Sequence, residues 1–378
     1  MHLNDNESMP KTGDPTYNKL YKVAPMINHL SENFLKFYKP TKEQAIDESM
    51  IRFKGRSSLK QYLPQKPIKR GFKVWVRADK YGFVCEFQIY TGKIDGSAEK
   101  LLGERVVRDL SRELTFKNYH LYFGNYFTSV SLMICLKNEG IQACGTVRSN
   151  RKELPKCQKP DKSLKKGDSE YRTSFKGISW VKWKDNKAVQ FLSNFHDPSD
   201  IATVGRKQKD GSILQITAPK IAVDYNSYMG CVDKADMLKS TYELNRKSKK
   251  RWHRIFWHLV DVTVVNSFII YRQNRPDSQM ALKEFRLAVA NDLIGYSTPN
   301  KRGKKQQQLP INNYKPKIST TMRFSQVPHL PTVLSTQRRC VCCSTKSIPC
   351  RTSFFCSTCN VPLCIKKEKN CFQKFHVK

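Results

Sequence analysis

Apolar positions along the chain change between helical and strand spacing. Residues 16–40 carry apolar side chains at the spacing of one helix face, and residues 74–92 predict two strands joined by a turn from Asp79 to Gly82. Residues 101–148 predict a helix, a strand, a second helix and a second strand, in that order. Strands that alternate with helices indicate an α/β core.

The second helix of that series has signals at both ends. Thr128 or Ser129 can cap its first turn, and Gly140 ends it. Further along, apolar residues at helical spacing from Trp252 onward predict a long, largely buried helix.

Two segments depart from the α/β pattern. Residues 148–220 are rich in Lys, Ser, Asp and Gly with short alternating runs, which predicts a β-rich insertion. Its Trp180 and Trp183 could stack on DNA, although cross-strand packing is the favoured interpretation. Residues 299–338 are rich in Lys, Gln and Pro without periodicity, which is typical of a linker.

Charge narrows the class of partner. The 68 Lys and Arg outnumber the 32 Asp and Glu, so the formal net charge is +36. Such an excess favours association with a polyanion, and nucleic acid is the expected partner. A membrane partner is not expected, because no apolar run is long enough to span a bilayer and no helix has a purely basic face.

The stretch from residue 45 to residue 73 combines acids with a basic field. Asp47 and Glu48 open it, and eight basic residues follow without another acid. A carboxylate that holds a cation, beside basic residues that hold phosphates, suits a metal-dependent phosphodiester enzyme. On charge alone, a solvated basic loop with an incidental Asp explains the stretch equally well.

A second acidic cluster lies near residue 235. Asp233 and Asp236 are three residues apart, so in a helix both can point at one site, although surface ion pairs are the ordinary role of such residues. A dense basic run follows this cluster. The candidate DNA-binding residues from the two basic stretches are Arg52, Lys54, Arg56, Lys69, Arg70, Lys249, Lys250 and Arg251.

The last forty residues hold a cysteine cluster. Eight of the thirteen cysteines follow residue 339, and their clustering predicts a metal site rather than disulfides. Thiolate and imidazole ligands on short C-x2-C knuckles suit structural Zn²⁺, which would supply most of the folding energy of so small a module. Seven clear ligands leave one open for two sites, with Cys350 the first candidate and Cys342 the second. The seven are Cys340, Cys343, Cys356, Cys359, Cys364, Cys371 and His376.

Several motifs, taken together, resemble the piggyBac family of cut-and-paste DNA transposases and their domesticated derivatives. They are AIDESMIRFKGRSSLKQYLPQKPIKRGFKVW, LYFGNYFTS, GTVRSNRKELP, VKWKDNKAV, YNSYMGCVDKAD and the terminal cysteine module. The resemblance extends from about residue 17 to the end of the chain.

The resemblance implies an α/β fold: an RNase H-like catalytic core interrupted by a β-rich insertion, with a C-terminal zinc-binding cysteine-rich domain. It implies a site of three Asp residues that holds two divalent cations, normally Mg²⁺. Asp47 takes the first acid position, Asp233 the third, and Asp236 is the further acid three residues on. It also implies double-stranded DNA with transposon-end-like sequences as partner, a homodimer, and a nuclear location.

The resemblance further implies six segments. The chain before Asp47 is shorter than the N-terminal region of family transposases, so it is interpreted as a remnant of that region. The segments are 1–40 (N-terminal dimerisation and DNA-binding remnant), 41–147 (core, first part), 148–220 (insertion), 221–298 (core, second part), 299–338 (basic linker) and 339–378 (zinc domain).

One position departs from the catalytic pattern. Gly124 occupies the place of the second acid, and glycine supplies no metal ligand. The expected function is therefore a DNA-binding derivative with impaired catalysis. Two alternatives stay open: an active transposase or nuclease in which water or Asn125 replaces the missing carboxylate, and a protein-interaction factor that acts through its zinc module.

Overall fold

The computed structural model describes residues 3–92, 99–248, 250–295, 318, 320–345 and 347–377. The chain forms two compact units, Met1–Ser297 and Thr298–Lys378.

A nine-stranded mixed sheet organises the described part of the first unit. Its strands follow the order β2-β3-β1-β5-β6-β9-β8-β7, and β4 pairs with β3 beside β2. The pairs β1–β5 and β5–β6 are parallel, and the other pairs are antiparallel. The strands are β1 (Glu43–Arg52), β2 (Lys60–Tyr62), β3 (Arg70–Asp79), β4 (Val84–Ile89), β5 (His120–Phe123), β6 (Gln142–Val147), β7 (Ser169–Thr173), β8 (Ser179–Lys184) and β9 (Ala188–Ser193).

Helices cover both faces of this sheet. Successive side chains of a strand point to opposite faces, so Ala45 packs with one layer of helices and Ile46 with the other. The first layer contains α1 (Ala24–Phe37), α4 (Lys220–Tyr228), α5 (Cys231–Thr241) and α6 (Arg251–Asn274), and the second contains α2 (Leu102–Ser111) and α3 (Val130–Asn138). A further helix, α7 (Leu282–Leu293), packs against α6.

The elements predicted from apolar spacing are confirmed here. β3 and β4 form the predicted hairpin, and α2, β5, α3 and β6 follow in the predicted order. Ser129, one of the two predicted caps, accepts a hydrogen bond from the Leu132 N–H at 3.1 Å. Gly140 follows α3 with a φ of +68°, a conformation that glycine adopts without a steric penalty.

The predicted β-rich insertion continues the main sheet. β9 pairs antiparallel with β6, with Cys144 opposite Ser193, so β7, β8 and β9 extend the core outward. The hairpin of β10 (Ile201–Lys207) and β11 (Ile213–Pro219), in contrast, forms a separate two-stranded sheet. Trp180 and Trp183 are buried, as the packing interpretation requires.

The second unit is built around cysteines. Its described elements are α8 (Thr320–Arg323), β12 (Pro331–Arg339), β13 (Arg351–Cys356), β14 (Val361–Pro362), β15 (Ile365–Lys366), β16 (Lys369–Asn370) and α9 (Cys371–His376). The structured part begins before residue 339, since α8 and β12 fall in the segment interpreted as a linker. Val361 and Leu363 are the aliphatic members of its fully buried cluster, and the rest are cysteines.

Within the residues that the structure describes, no helix is long and apolar enough to cross a membrane.

Candidate functional sites

The acidic site forms where β1, β5 and α5 meet. The parallel register pairs Ile46 with Phe123, so Asp47 and Gly124 are the next residues on neighbouring strands. α5 packs on β1, and Asp236 on this helix accepts a hydrogen bond from Ser49 Oγ at 2.6 Å. The structure therefore places the predicted acid positions on adjoining elements, namely β1, the end of β5 and α5.

Two lysines pair with the acids of β1. Lys66 Nζ lies 3.0 Å from Asp47 Oδ2 and 3.8 Å from Glu48 Oε2. Lys73 Nζ lies 3.0 Å from Glu48 Oε1 and also packs 4.8 Å from the centroid of the Tyr126 ring. Asp47 and Glu48 thus each have a cationic neighbour from this chain.

The surroundings of Asp47, Glu48 and Lys66 shift the pKa values of these three side chains. Burial raises the pKa of Asp47 to about 6, although Lys66 acts in the opposite direction. Burial also acts to raise the pKa of Glu48, but Lys73 and the other neighbours outweigh it, and this pKa is lowered. Burial opposes the charge on Lys66, yet Asp47, Glu48 and Asp233 together raise its pKa. Asp233, which is exposed, therefore acts on the same ammonium group as the acids of β1.

Gly124 leaves room for a side chain. A Cβ added there would meet no heavy atom within 4 Å, and its φ lies outside the left-handed region. The neighbouring Asn125 is exposed, and its Oδ1 accepts a hydrogen bond from Arg148 Nε at 3.1 Å. Asn125 is thus held by the segment that follows β6.

The residues present do not fit a centre for two divalent cations. Such a centre needs several oxygen ligands, and Gly124, at the position where the family resemblance implies the second acid, supplies none. The Lys66 ammonium lies against Asp47, and Asp236 Oδ1 already accepts hydrogen bonds from Ser49 and from Lys239 Nζ, each at 2.6 Å.

The two predicted basic stretches lie side by side. Arg254 Nε, at the start of α6, donates to the carbonyl of Arg52 at 3.1 Å across 202 residues of sequence. Arg70 lies 5.1 Å from the centroid of the Tyr62 ring. The exposed members of the predicted set are Arg52, Lys54, Arg56, Lys69, Arg70 and Lys250.

The remaining two members of that set differ in placement. Arg251 is half-buried and donates to the Lys19 carbonyl at 3.4 Å, which turns it toward the N-terminal segment. Lys249 lies outside the described residues. Among the residues that are described, no member of the set has a carboxylate oxygen within 4.0 Å, so their charge is uncompensated by close ion pairs.

Cysteine and histidine side chains of the second unit converge in two groups of four. In each group the potential ligand atoms all lie within 4.8 Å of one another. The groups are Cys340, Cys343, Cys364 and Cys371, and His329, Cys356, Cys359 and His376.

The spacing of these atoms suits a tetrahedral ion. Cys343 Sγ and Cys364 Sγ are 3.6 Å apart, and Cys359 Sγ lies 3.3 Å from both His329 Nδ1 and His376 Nε2. Zinc bonds of about 2.3 Å to sulfur and about 2.1 Å to nitrogen give tetrahedral edges of roughly 3.4 to 3.8 Å. His376 Nδ1 lies 2.8 Å from the Phe372 carbonyl, which orients the ring so that Nε2 faces the cluster.

The eighth ligand position differs from the one favoured by the sequence. The structure places His329 in the second group, whereas Cys350 and Cys342 lie outside both groups. The Cys350 backbone instead supports the first knuckle, because its carbonyl accepts a hydrogen bond from the Cys340 N–H at 2.8 Å. His329 precedes β12 by two residues in a stretch interpreted as a linker, so no C-x2-C spacing pointed to it.

A match to a family model identifies the class of protein as a transposase of the DDE type. The family model described as Transposase IS4 matches residues 1–268. The chain belongs to this family, in its piggyBac branch.

Relatives and solved structures agree with this membership. The chain is 29% identical over 385 residues to human (Homo sapiens) PiggyBac transposable element-derived protein 3, covering all of this chain and 61% of the relative. It is 24% identical over 353 residues to human PiggyBac transposable element-derived protein 2, covering 91% of this chain and 57% of that protein. The chain thus spans about three fifths of the length of these relatives.

The fold also matches a solved structure. The cryo-EM structure of a piggyBac transposase synaptic complex with hairpin DNA aligns with a TM-score of 0.64 and 24% identity. The alignment covers 75% of this chain and 60% of that one. The two proteins therefore share a mixed α/β fold.

Proposed function

We propose that this protein is a piggyBac transposase-derived DNA-binding protein whose strand-cleavage and strand-transfer chemistry is impaired. The observation that carries the proposal is Gly124, which adjoins Asp47 at the position of a metal-binding acid. Without that carboxylate, the electrostatic stabilisation of a phosphoryl-transfer transition state is lost in part. Asn125 is a poor substitute, because Arg148 holds its amide oxygen.

The scaffold supports a DNA-binding role. The strand order β4-β3-β1-β5-β6, antiparallel on one side of β1 and parallel on the other, supports an RNase H-like core. The solved structure with this fold is a complex with hairpin DNA. The net charge of +36 supplies the attraction that such a partner requires.

The exposed basic residues beside β1 and α6 form the proposed interface. Their side chains carry no close ion pair and suit phosphate oxygens, which position a protein on duplex DNA without reading its sequence. The proposal assigns structural Zn²⁺ to both cysteine and histidine groups. It also includes a nuclear location and a homodimer on double-stranded DNA with transposon-end-like sequences.

Binding and cleavage are tested separately on the same samples. Fluorescence anisotropy with a labelled duplex measures affinity at several salt concentrations, and gel analysis of a hairpin substrate with Mg²⁺ or Mn²⁺ measures cleavage. We expect the unmodified chain to bind with a steep salt dependence and not to cut. Cleavage by the unmodified chain would overturn the impairment, and absence of binding at low salt would overturn the DNA-binding role.

The same assays test where duplex DNA binds. Arg52→Gln combined with Arg56→Gln removes two exposed charges from the proposed interface. We expect weaker duplex binding and a shallower salt slope, because fewer counterions are released. Unchanged binding would move the interface away from β1.

A further inference from the structure

We propose that Lys66 is the resident cation of the acidic site and closes it to divalent metal ions. The inference deepens the proposed function and rests on its premise that this site no longer performs two-metal chemistry. Its basis is the ion pair of Lys66 Nζ with Asp47 Oδ2 at 3.0 Å, beside a Gly124 that offers no ligand.

The loop that presents Lys66 is conformationally restricted. Pro64 and Pro67 flank the lysine, and each proline ring fixes one backbone dihedral angle. The Lys66 N–H donates to the Leu63 carbonyl at 3.2 Å, and the Leu63 N–H donates to the Lys69 carbonyl at 2.9 Å. The ammonium is therefore held near Asp47 by a closed turn, which lowers the entropy lost in forming the pair.

Lys73, the other lysine that pairs with Glu48, cannot close the site to metal ions. Lys73 pairs with Glu48 and packs against the rings of Trp75 and Tyr126, at 5.1 Å and 4.8 Å from their centroids. Its side chain is 11% exposed, whereas that of Lys66 is 26% exposed. Lys66 is therefore the cation at the open side of the site, where an ion from solvent would enter.

Charge balance follows from this arrangement. Lys66 Nζ lies within 4 Å of two carboxylates, those of Asp47 and Glu48, and it satisfies part of their negative charge without a metal. An entering divalent cation would have to displace an ammonium group from a half-buried carboxylate and would gain no ligand at position 124. The pair is thus expected to outcompete Mg²⁺ or Mn²⁺ at millimolar concentrations.

Metal binding to the full chain tests the inference without any reliance on catalysis. Mn²⁺ titrations by calorimetry on zinc-loaded protein compare the unmodified chain with Lys66→Met, Asp47→Asn, Lys66→Met/Asp47→Asn and Lys60→Met. Lys60 is a matched control because its Nζ donates to the Gly55 carbonyl at 2.9 Å rather than to an acid. We expect Lys66→Met to gain Mn²⁺ affinity by about tenfold or more, since a repelling charge is removed.

We expect the double variant to lose that gain and Lys60→Met to behave as the unmodified chain. Tight Mn²⁺ binding to the unmodified chain that Asp47→Asn abolishes would overturn the inference. No gain in Lys66→Met would overturn it as well.

A second measurement does not depend on the folding of a Lys66 variant. The rate of reductive methylation of individual lysines, followed by mass spectrometry, reports how freely each amine reacts. We expect Lys66 to react more slowly than Lys60 in the unmodified chain and faster once Asp47→Asn removes its partner. Equal Lys66 rates in both proteins would contradict the pairing.

Duplex binding measured on the same samples separates this inference from the proposed function. If the unmodified chain does not bind duplex DNA, the proposed function is wrong, and the result for Lys66 is unaffected. If duplex DNA binds normally but Lys66→Met gains no Mn²⁺ affinity, only the inference about Lys66 is wrong.

Discussion

At the scale of single residues, Gly124 adjoins Asp47 on the neighbouring strand, and a Cβ added there would meet no heavy atom within 4 Å. The backbone there is ordinary, so glycine is not required by conformation. The structure therefore leaves room at position 124 for a larger residue.

We expect Gly124→Asp to fold normally, with a free energy of unfolding within about 1 kcal/mol of the unmodified chain. Replacement of glycine restricts the unfolded chain and is worth about 0.4–1 kcal/mol, while repulsion from Asp47 opposes that gain. Urea denaturation measures the difference. If Gly124→Asp unfolds the protein, this outcome would contradict the room for a side chain at position 124.

Gly140 provides a matched control for that substitution. A Cβ there would lie 2.5 Å from Phe116 Cδ1, and its φ is +68°. We expect Gly140→Asp to lower the free energy of unfolding by about 2 kcal/mol or more. Equal effects at the two glycines would contradict the structural distinction between them.

Asp47 should make stability depend on pH. Burial raises its pKa in the folded chain to about 6, above the usual value for Asp in an unfolded chain. Between about pH 4 and 6 the folded state holds a proton that the unfolded state has released, so this contribution to stability falls as pH rises through 6.

Asp47→Asn removes that dependence. We expect its stability, relative to the unmodified chain, to increase between pH 4.5 and pH 7.5 by an amount on the order of 1–3 kcal/mol. Urea denaturation at the two pH values measures the change. A difference that is the same at both values would show that Asp47 titrates normally.

At the scale of elements, the side-chain amide of Asn266 links α6 to β4, a strand at the edge of the sheet. Asn266 Oδ1 accepts from the Val84 N–H and its Nδ2 donates to the Val84 carbonyl, both at 2.9 Å. Asn266 is buried and satisfies two backbone groups of β4. This buried amide therefore links the helix to the strand.

We expect Asn266→Leu to lower the free energy of unfolding by about 2–4 kcal/mol, because a buried donor and a buried acceptor lose their partners. Asn274→Leu at the exposed end of α6 is the control, with an expected change within about 0.5 kcal/mol. Chemical denaturation compares the two. A near-neutral Asn266→Leu would mean that Val84 finds other partners.

Local patterns predicted the elements but not all of their partners. Ser129, Gly140 and the period of α6 act within a few residues, so the sequence reveals them. Cys144 of β6 pairs with Ser193 of β9, and the hairpin of β7 and β8 lies between these strands in the sequence. No local pattern shows whether residues 148–220 extend the main sheet or form a separate insertion.

The same limit applies to the candidate sites. C-x2-C spacing reveals Cys340, Cys343, Cys356 and Cys359, because a short knuckle is a local feature. His329 joins Cys356 across 27 residues and Lys66 meets Asp47 across 19, and both pairings depend on tertiary packing.

At the scale of the whole molecule, the two units differ in what stabilises them. The first has an extensive apolar core on both faces of its sheet, whereas the described core of the second is mostly thiols. All five tryptophans, at positions 75, 180, 183, 252 and 257, lie in the first unit. Tryptophan fluorescence therefore reports on that unit.

We expect a zinc chelator to unfold the second unit and leave the first intact, because metal binding supplies the folding energy of a module with so little apolar core. Thiol titration should then reveal the cysteines of both four-residue groups, while tryptophan emission stays unchanged. Readdition of Zn²⁺ should restore protection. A shift of tryptophan emission on chelation would contradict the independence of the two units.

The hydrogen bond between Ser49 and Asp236 joins residues that are 187 positions apart. A ribosome that adds about 5–20 residues per second needs roughly 10–40 s to travel from one to the other. During that interval β1 and β3 exist without α4, α5 and α6, so the apolar side chains of Ile51, Val74 and Val76 await the helices that will cover them. Nascent chains of this length are therefore expected to depend on chaperones while the ribosome completes the second half of the core.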